Sequence, residues 1–327
     1  MASTGNTTAF IESQQYSQFI LDNLHDYLLP EGMWRDVTDF GSGTTLNVKT
    51  VGTVSLQDAA EDTPLNFHDI DTGTLTLSIT DYVGDAWKVT DDLREDGSQI
   101  DALMSMRAME STRALGENHE TKFLNVANAA QTAGAVNLVN GRPHRWVAGG
   151  SGGTSRKITL SDFVAMKLSF DKANVPAGGR IAIVDPIVEA TLNGLISLQT
   201  VVDNTPQFQG ILNEGFARDH KFVRNIMGFD VYTSNFLHSV TAVEDINAAA
   251  YGLADDVSVV GNKANVFMCV ADDSCKPLMH AWRRAPQTEG WRDNEERADK
   301  YQVTTRYGFG AQRLDTLGVI ITDHAAY

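Results

Sequence analysis

Residues 42–92 hold the feature that most restricts what this chain can build: β segments that flank an acidic stretch and carry too little apolar content for a core of their own. Leu75, Leu77 and Ile79 alternate strictly with Thr74, Thr76, Ser78 and Thr80, the period of two of a half-buried strand. Leu46 and Val48, then Val54 and Leu56, alternate with polar residues on either side of Gly52, which marks a bulge or bend. Between these segments lies an acidic, irregular stretch from Asp58 to Gly73. The whole reads as a long two-stranded excursion with a polar tip. Such a ribbon is marginal alone and must lie on something else. That is odd in a monomeric enzyme and expected in an assembly.

A long helix follows, over about Ser98–Gln131. Ser98 can cap it, with Asp101 in the first turn. Ala108, Thr112, Leu115, His119, Phe123, Val126 and Ala127 form one weakly apolar stripe, which suits a helix lying across a sheet. At 1.5 Å per residue it reaches roughly 50 Å, which suggests an extended, plate-like molecule. Another amphipathic helix is expected over about Thr8–Leu29, ended by Pro30 and Gly32. It docks on its own domain or on a neighbour.

The remainder is mixed. Ala148–Thr154 is a Gly-rich loop and marks a subdomain boundary, without the GK[ST] ending of a phosphate loop. Ser161 can cap a helix bearing Phe163, Val164 and Leu168. Arg180–Asp185 is a buried strand stopped by Pro186, followed by a short helix, Ile187–Asn193. Val231–Leu237 and Asn265–Ala271 read as strands. Tyr301, Val303, Thr305, Tyr307 and Phe309 alternate before a last strand, Leu317–Thr322. Residues 276–313 place eight basic residues beside five acids. Inter-subunit ion pairing and an ordinary solvated face both explain that mixture, since single surface pairs contribute little.

Composition narrows the function class. With 42 acids against 26 bases the net charge is −16, so the chain is a poor general binder of nucleic acid. The acidity serves solubility, or gives a surface that repels DNA and lets it slide. No stretch approaches the roughly 20 apolar residues of a membrane span. Met1–Thr8 lack the start of a signal peptide, so an intracellular product is expected. Cys269 and Cys275 are six apart and form no zinc pair; Cys269 is expected as a core thiol. Catalytic signatures such as GxSxG, HExxH, a Walker loop or a Rossmann fingerprint do not occur. The histidines are scattered. His68-Asp69-Ile70-Asp71 reads as a turn, Asp91, Asp92, Glu95 and Asp96 as caps and dipole partners, and Asp272-Asp273 as another turn. No residue is nominated as catalytic, metal-binding or cofactor-binding, and the chain is not expected to be an enzyme.

The order of elements (arm, β excursion, long helix, α/β section, returning β segment) resembles the tailed-bacteriophage major capsid family, with its α+β HK-ninety-seven-like fold. Local phrases carry the same resemblance: Val89-Thr90-Asp91-Asp92-Leu93 running into the long helix, Arg180 to Pro186, and Ala298-Asp299-Lys300-Tyr301 through Tyr307-Gly308-Phe309-Gly310 to Gly318-Val319-Ile320. The last looks like podovirus capsid proteins. The resemblance implies an N-terminal arm over 1–41, an extended β-loop over 42–92 that lies on a neighbouring subunit, and a peripheral domain over 93–157 built on the spine helix. It further implies an axial domain over 158–262 and a peripheral return over 263–327. The implied function is self-assembly through pentamers and hexamers into an icosahedral virion head around double-stranded DNA, bound without sequence specificity. Implied partners are the chain itself, a separate scaffolding protein, a portal and a decoration protein, with no membrane and no cofactor. Lys49, Trp87, Lys88, Arg283, Arg284 and Arg292 are nominated as inter-subunit contacts. No covalent cross-link is expected from Lys49 or Lys88. Competing readings are an encapsulin-like compartment, a soluble α/β hydrolase, and a tail or decoration protein.

Overall fold

The computed structural model describes residues 28–96, 100–131, 137–149, 156–192, 222–241, 251 and 261–323, apart from 31, 38–42, 53, 55, 60, 62–64, 66 and 68. The amphipathic helix expected over Thr8–Leu29 and the cap expected from Ser98 lie almost wholly outside these residues; residues 28–30 are not helical.

Two sheets and one long helix organise the chain. The first sheet has strand order β1-β12-β13-β4: β1 (Arg35–Asp36), β12 (Leu278–Asp293), β13 (Ala298–Ala311) and β4 (Asp81–Thr90). The second has order β7-β14-β11-β8-β10-β9: β7 (Arg145–Val147), β14 (Leu317–Thr322), β11 (Lys263–Cys269), β8 (Arg180–Val184), β10 (Phe229–Thr233) and β9 (Phe222–Ile226). Two small ribbons, β2 (Thr45–Val51) with β3 (Thr72–Ser78) and β5 (Leu138–Val139) with β6 (Arg142–Pro143), stand outside them. The helices are α1 (Asp91–Asp96), α2 (Ile100–Ala130) and α3 (Leu160–Lys172), and residues 186–192 are also helical.

Helix α2 is the spine that joins the sheets. Its first three quarters cross the four-stranded sheet on polar contacts: Arg107 pairs with Asp85 at 2.8 Å, Ser111 also donates to Asp85, and Lys122 pairs with Asp81 at 2.9 Å. Tyr307 donates to Asn118 at 2.8 Å. Its last quarter turns apolar. Phe123, Leu124 and Ala127 pack on Ile181, Ile183, Val266 and Met268 of the six-stranded sheet. The helix ends against Arg145, fully buried, which donates to the Asn128 side chain and the Gln131 carbonyl, both at 2.9 Å. A guanidinium thus satisfies backbone acceptors that a helix C-terminus leaves open. The stripe of small and polar residues in the sequence is this mixed underside.

The other face of the six-stranded sheet carries α3. Phe163, Met166 and Phe170 interleave with Phe229 and Phe267, with Phe163 and Phe267 edge-to-face at 5.3 Å. Each such side chain contributes about 1.5–3 kcal/mol by leaving water. Gly318 allows the approach, because any Cβ there would run into the Met166 thioether. The cap of α3 is Thr159, not Ser161 as the sequence suggests: the Asp162 carboxylate accepts from the Thr159 amide at 2.8 Å and also from the Trp146 indole at 3.3 Å. The deciding contact is a local capping box between Thr159 and Asp162 three residues on, two residues earlier than the expected cap.

Three expectations meet a different layout. Strand β4 lies within 42–92 but pairs along β13, Asp81 opposite Tyr307 to Thr90 opposite Ala298, so only β2 and β3 form the free ribbon. The 278–293 stretch, read only as mixed charge, is a 16-residue strand held by β13. The boundaries expected at 157/158 and 262/263 both run through one sheet, since β7, β11 and β14 pair with β8 and its neighbours. Strands expected at Val231–Leu237 and Asn265–Ala271 appear as Phe229–Thr233 and Lys263–Cys269, and Cys269 is buried as expected.

Candidate functional site

The ribbon is built to be covered. At its base Leu77 is fully buried and packs with Met279, Ala281, Leu46 and Val48 on the sheet face opposite α2. The chain then crosses the sheet at Gly308, where an added Cβ would come within 2.9 Å of the Ile79 Cα. Beyond the Gly52 amide, which donates to the Asp71 carbonyl at 2.8 Å, the described apolar side chains are bare. Val54 is 84% exposed, Leu56 95%, Ile70 79% and Phe67 fully so. A run of bare apolar side chains on one projection marks an interaction surface more than a solvated loop. Lys49 lies on β2 within this ribbon.

The far end of the four-stranded sheet carries the mixed charge. Arg292 grips Asp91 with two bonds of 2.6 Å and reaches Asp299 at 3.3 Å; Arg94 pairs with Asp299 at 2.7 Å. Hydrogen bonding from Arg292 holds the Asp91 carboxyl below the usual carboxylate range and raises the guanidinium in turn. Lys88 pairs with Glu296 at 3.0 Å, and Lys300 with Asp293 at 2.6 Å. Trp87 stacks on Tyr301 with centroids 6.0 Å apart, beneath Arg107. Trp87, Lys88 and Arg292 therefore share one region, where the two charges are first committed to neighbours in their own chain. Asp91 and Asp92 occupy the first turn of α1, as their reading as dipole partners expects.

Arg283 and Arg284 sit elsewhere, at an irregularity in β12. With Arg306, Thr80 and Tyr82 they line an open depression of about 530 Å³ on the sheet face away from α2.

A third cluster escaped the sequence reading. His119 of α2 and His280 of β12, scattered in sequence, bring their Nε2 atoms to 3.1 Å. Trp34, Trp282, Tyr307 and Phe309 surround them, with His119 stacked on Trp282 at 5.0 Å. Burial pushes both imidazoles down to about 4; His280 adds to the effect on His119, while Asp36 opposes it on His280. One imidazole donates to the other when both are neutral, while the buried Nδ1 of His280 has no hydrogen bond among the described residues. Beside it opens a cavity of about 680 Å³ lined by Leu28, Trp34, His119, Trp282 and Tyr307 among others. Among the described residues no group of three or more His, Cys, Asp or Glu side chains could hold a metal ion. Asp69, Ile70 and Asp71 are exposed, and Asp272 accepts the Cys275 amide at 2.9 Å in the expected turn. The surfaces of this molecule offer contact and charge.

Residues 72–322 match the family model described as phage capsid protein. The fold is similar to the capsid of cyanophage P-SCSP1u, at 16% identity over 98% of this chain and 95% of that one, TM-score 0.69. It is also similar to the capsid of cyanophage Pam1, at 13% identity over 100% of both chains, TM-score 0.63. A third likeness is to the holo-SrpI encapsulin complex of Synechococcus elongatus PCC 7942, at 12% identity over 100% and 98% of the two chains, TM-score 0.58. No curated protein matches the sequence.

Proposed function

This chain belongs to the phage capsid protein family, and we propose that it works by laying its β2–β3 ribbon on a neighbouring copy while the two sheets and the spine form the floor of the shell. It is a major capsid protein, a structural protein of the virion with the HK-ninety-seven-like fold. The observation that carries the mechanism is the ribbon: an ordered base, then exposed Val54, Leu56, Phe67 and Ile70 with nothing among the described residues to cover them. Closed rings of five and six copies give each ribbon the same receiving surface, and many modest contacts per subunit stabilise the whole.

In this reading 1–41 is the arm, 42–92 contains the extended loop, and the α2 region and four-stranded sheet form the peripheral part. The six-stranded sheet with α3 forms the core of the axial part, which draws β7, β11 and β14 from outside 158–262. Lys49, Trp87, Arg283 and Arg284 serve contacts between copies, and Lys88 and Arg292 shape the charged end that such contacts meet. Assembly is guided by a separate scaffolding protein and closed by a portal, with room for a decoration protein. The shell encloses double-stranded DNA without reading its sequence, which suits a net charge of −16. The chain carries out no catalysis. Among the described residues no helix is long and apolar enough to cross a membrane.

The test replaces residues 54–70 by a short Gly-Ser link and leaves the ribbon base intact. The near-ultraviolet dichroism of the subunit should persist, while light scattering and electron microscopy show a threshold for shell formation raised at least about tenfold, the equivalent of about 1.4 kcal/mol per subunit. Shells at unchanged protein concentration would overturn the proposed role of the ribbon.

A further inference from the structure

Strand register places Arg284 of β12 directly opposite Arg306 of β13, and Arg306 directly opposite Tyr82 of β4. Like charges facing each other across a sheet repel. Arg284 is partly answered by Glu289 at 3.3 Å and the Thr304 hydroxyl at 3.2 Å. Arg306 has no carboxylate partner among the described residues. Arg283 joins the same depression from the irregularity in β12. Three arginines thus line one depression beside one tyrosine, Arg283 with a further interaction of its own, in a chain whose acids outnumber its bases by 42 to 26. An arrangement that costs the isolated subunit stability is explained if an anion completes it.

We propose that this arginine depression receives the acidic segment 57–71 of a second copy of the chain. The segment carries Asp58, Glu61, Asp62, Asp69 and Asp71, with no Lys or Arg. Asp58, Glu61 and Asp69 are exposed. The same stretch bears exposed Leu56, Phe67 and Ile70, which suit the ring of Tyr82, itself 63% exposed. A contact between copies is favoured because the base of the ribbon runs away from its own depression. Ile79 lies over Gly308 and Leu77 over Gly310, so β3 recedes from Arg306 as it runs back towards Thr72. Seven extended residues carry the segment about 20 Å away. The inference rests on the shell-building reading and names the receiving residues for its ribbon. Arginine forks on carboxylates also fix the register of docking, which a purely apolar contact leaves loose.

The test is a charge swap. Arg306→Glu faces Arg284 with an opposite charge, so the subunit is expected to fold. It should raise the assembly threshold about tenfold or more in about 0.1 M salt. Lysine at Asp58, Glu61 and Asp69 together should do the same, and the two sets of changes combined in one chain should restore assembly. Independently of shells, a labelled peptide of residues 54–73 should bind the wild-type subunit by fluorescence anisotropy, more weakly as salt rises, and about tenfold or more weakly to the Arg306→Glu subunit. Failure of wild-type shells alone would count against the shell-building reading, and the peptide would still decide this one. Unchanged assembly by Arg306→Glu, no rescue by the combined swap, or normal shells that lose only retention of DNA would overturn the inference; the last would assign the arginines to phosphate.

Discussion

Acid should loosen this subunit through the His119–His280 pair before its carboxylates titrate. Unfolded imidazoles bind protons near pH 6.5, whereas burial delays uptake by these two to about 4. The stabilising contribution of the neutral pair is full above pH 6.5 and is lost as pH falls towards 4. At pH 5 an imidazole with that displacement costs about 2 kcal/mol, and the two together up to about 4 kcal/mol. A second proton would also set two cations 3.1 Å apart inside the ring of Trp34, Trp282, Tyr307 and Phe309. The groups facing the pair are few. Asp36 lies 3.8 Å from His280 and softens the effect, and Glu120, Asp273 and Lys276 line the adjoining cavity. The assay is denaturant unfolding of the unassembled subunit at pH 7 and pH 5, wild type against His119→Phe/His280→Phe. His144 and His238 are also pushed down by burial and act equally in both proteins, so the difference isolates the pair. The wild type should lose about 2–4 kcal/mol more than the variant over this interval. Equal losses, within about 0.5 kcal/mol, would refute the assignment.

Two further outcomes follow from the core. Gly318→Ala forces a methyl against Met166 and should destabilise the subunit by about 1–3 kcal/mol, read by the same unfolding assay, with the Met166→Ala background recovering part of the loss. Burial raises the Cys269 thiol, so a thiol reagent at pH 8 should label Cys275 well before Cys269 in the folded subunit, and both together in denaturant.

What the sequence makes legible here is what local pattern decides. The spine is readable because Leu115, Phe123 and Ala127 keep helical spacing, and α2 runs Ile100–Ala130 against an expectation of Ser98–Gln131. β3 is readable because its alternation is strict, and β8 because every residue of Arg180–Val184 is buried. Strand β12 hides for the opposite reason. Its second half holds Pro286, Gly290 and several charges and is exposed, so only its long pairing with β13 makes it a strand. The candidate surfaces divide in the same way. The coreless ribbon can be inferred from composition. The facing arginines need the register of three strands, and His119 and His280 are 161 residues apart with no local signal linking them. Arg292, nominated from charge density, turns out to grip Asp91 two hundred residues earlier in its own chain.

The central claim is that copies of this chain close into shells, and the most direct test is negative-stain electron microscopy with light scattering on the purified protein, with and without a candidate scaffolding protein. The account predicts closed shells, or rings of five and six. A monodisperse monomer or dimer under every condition would contradict it.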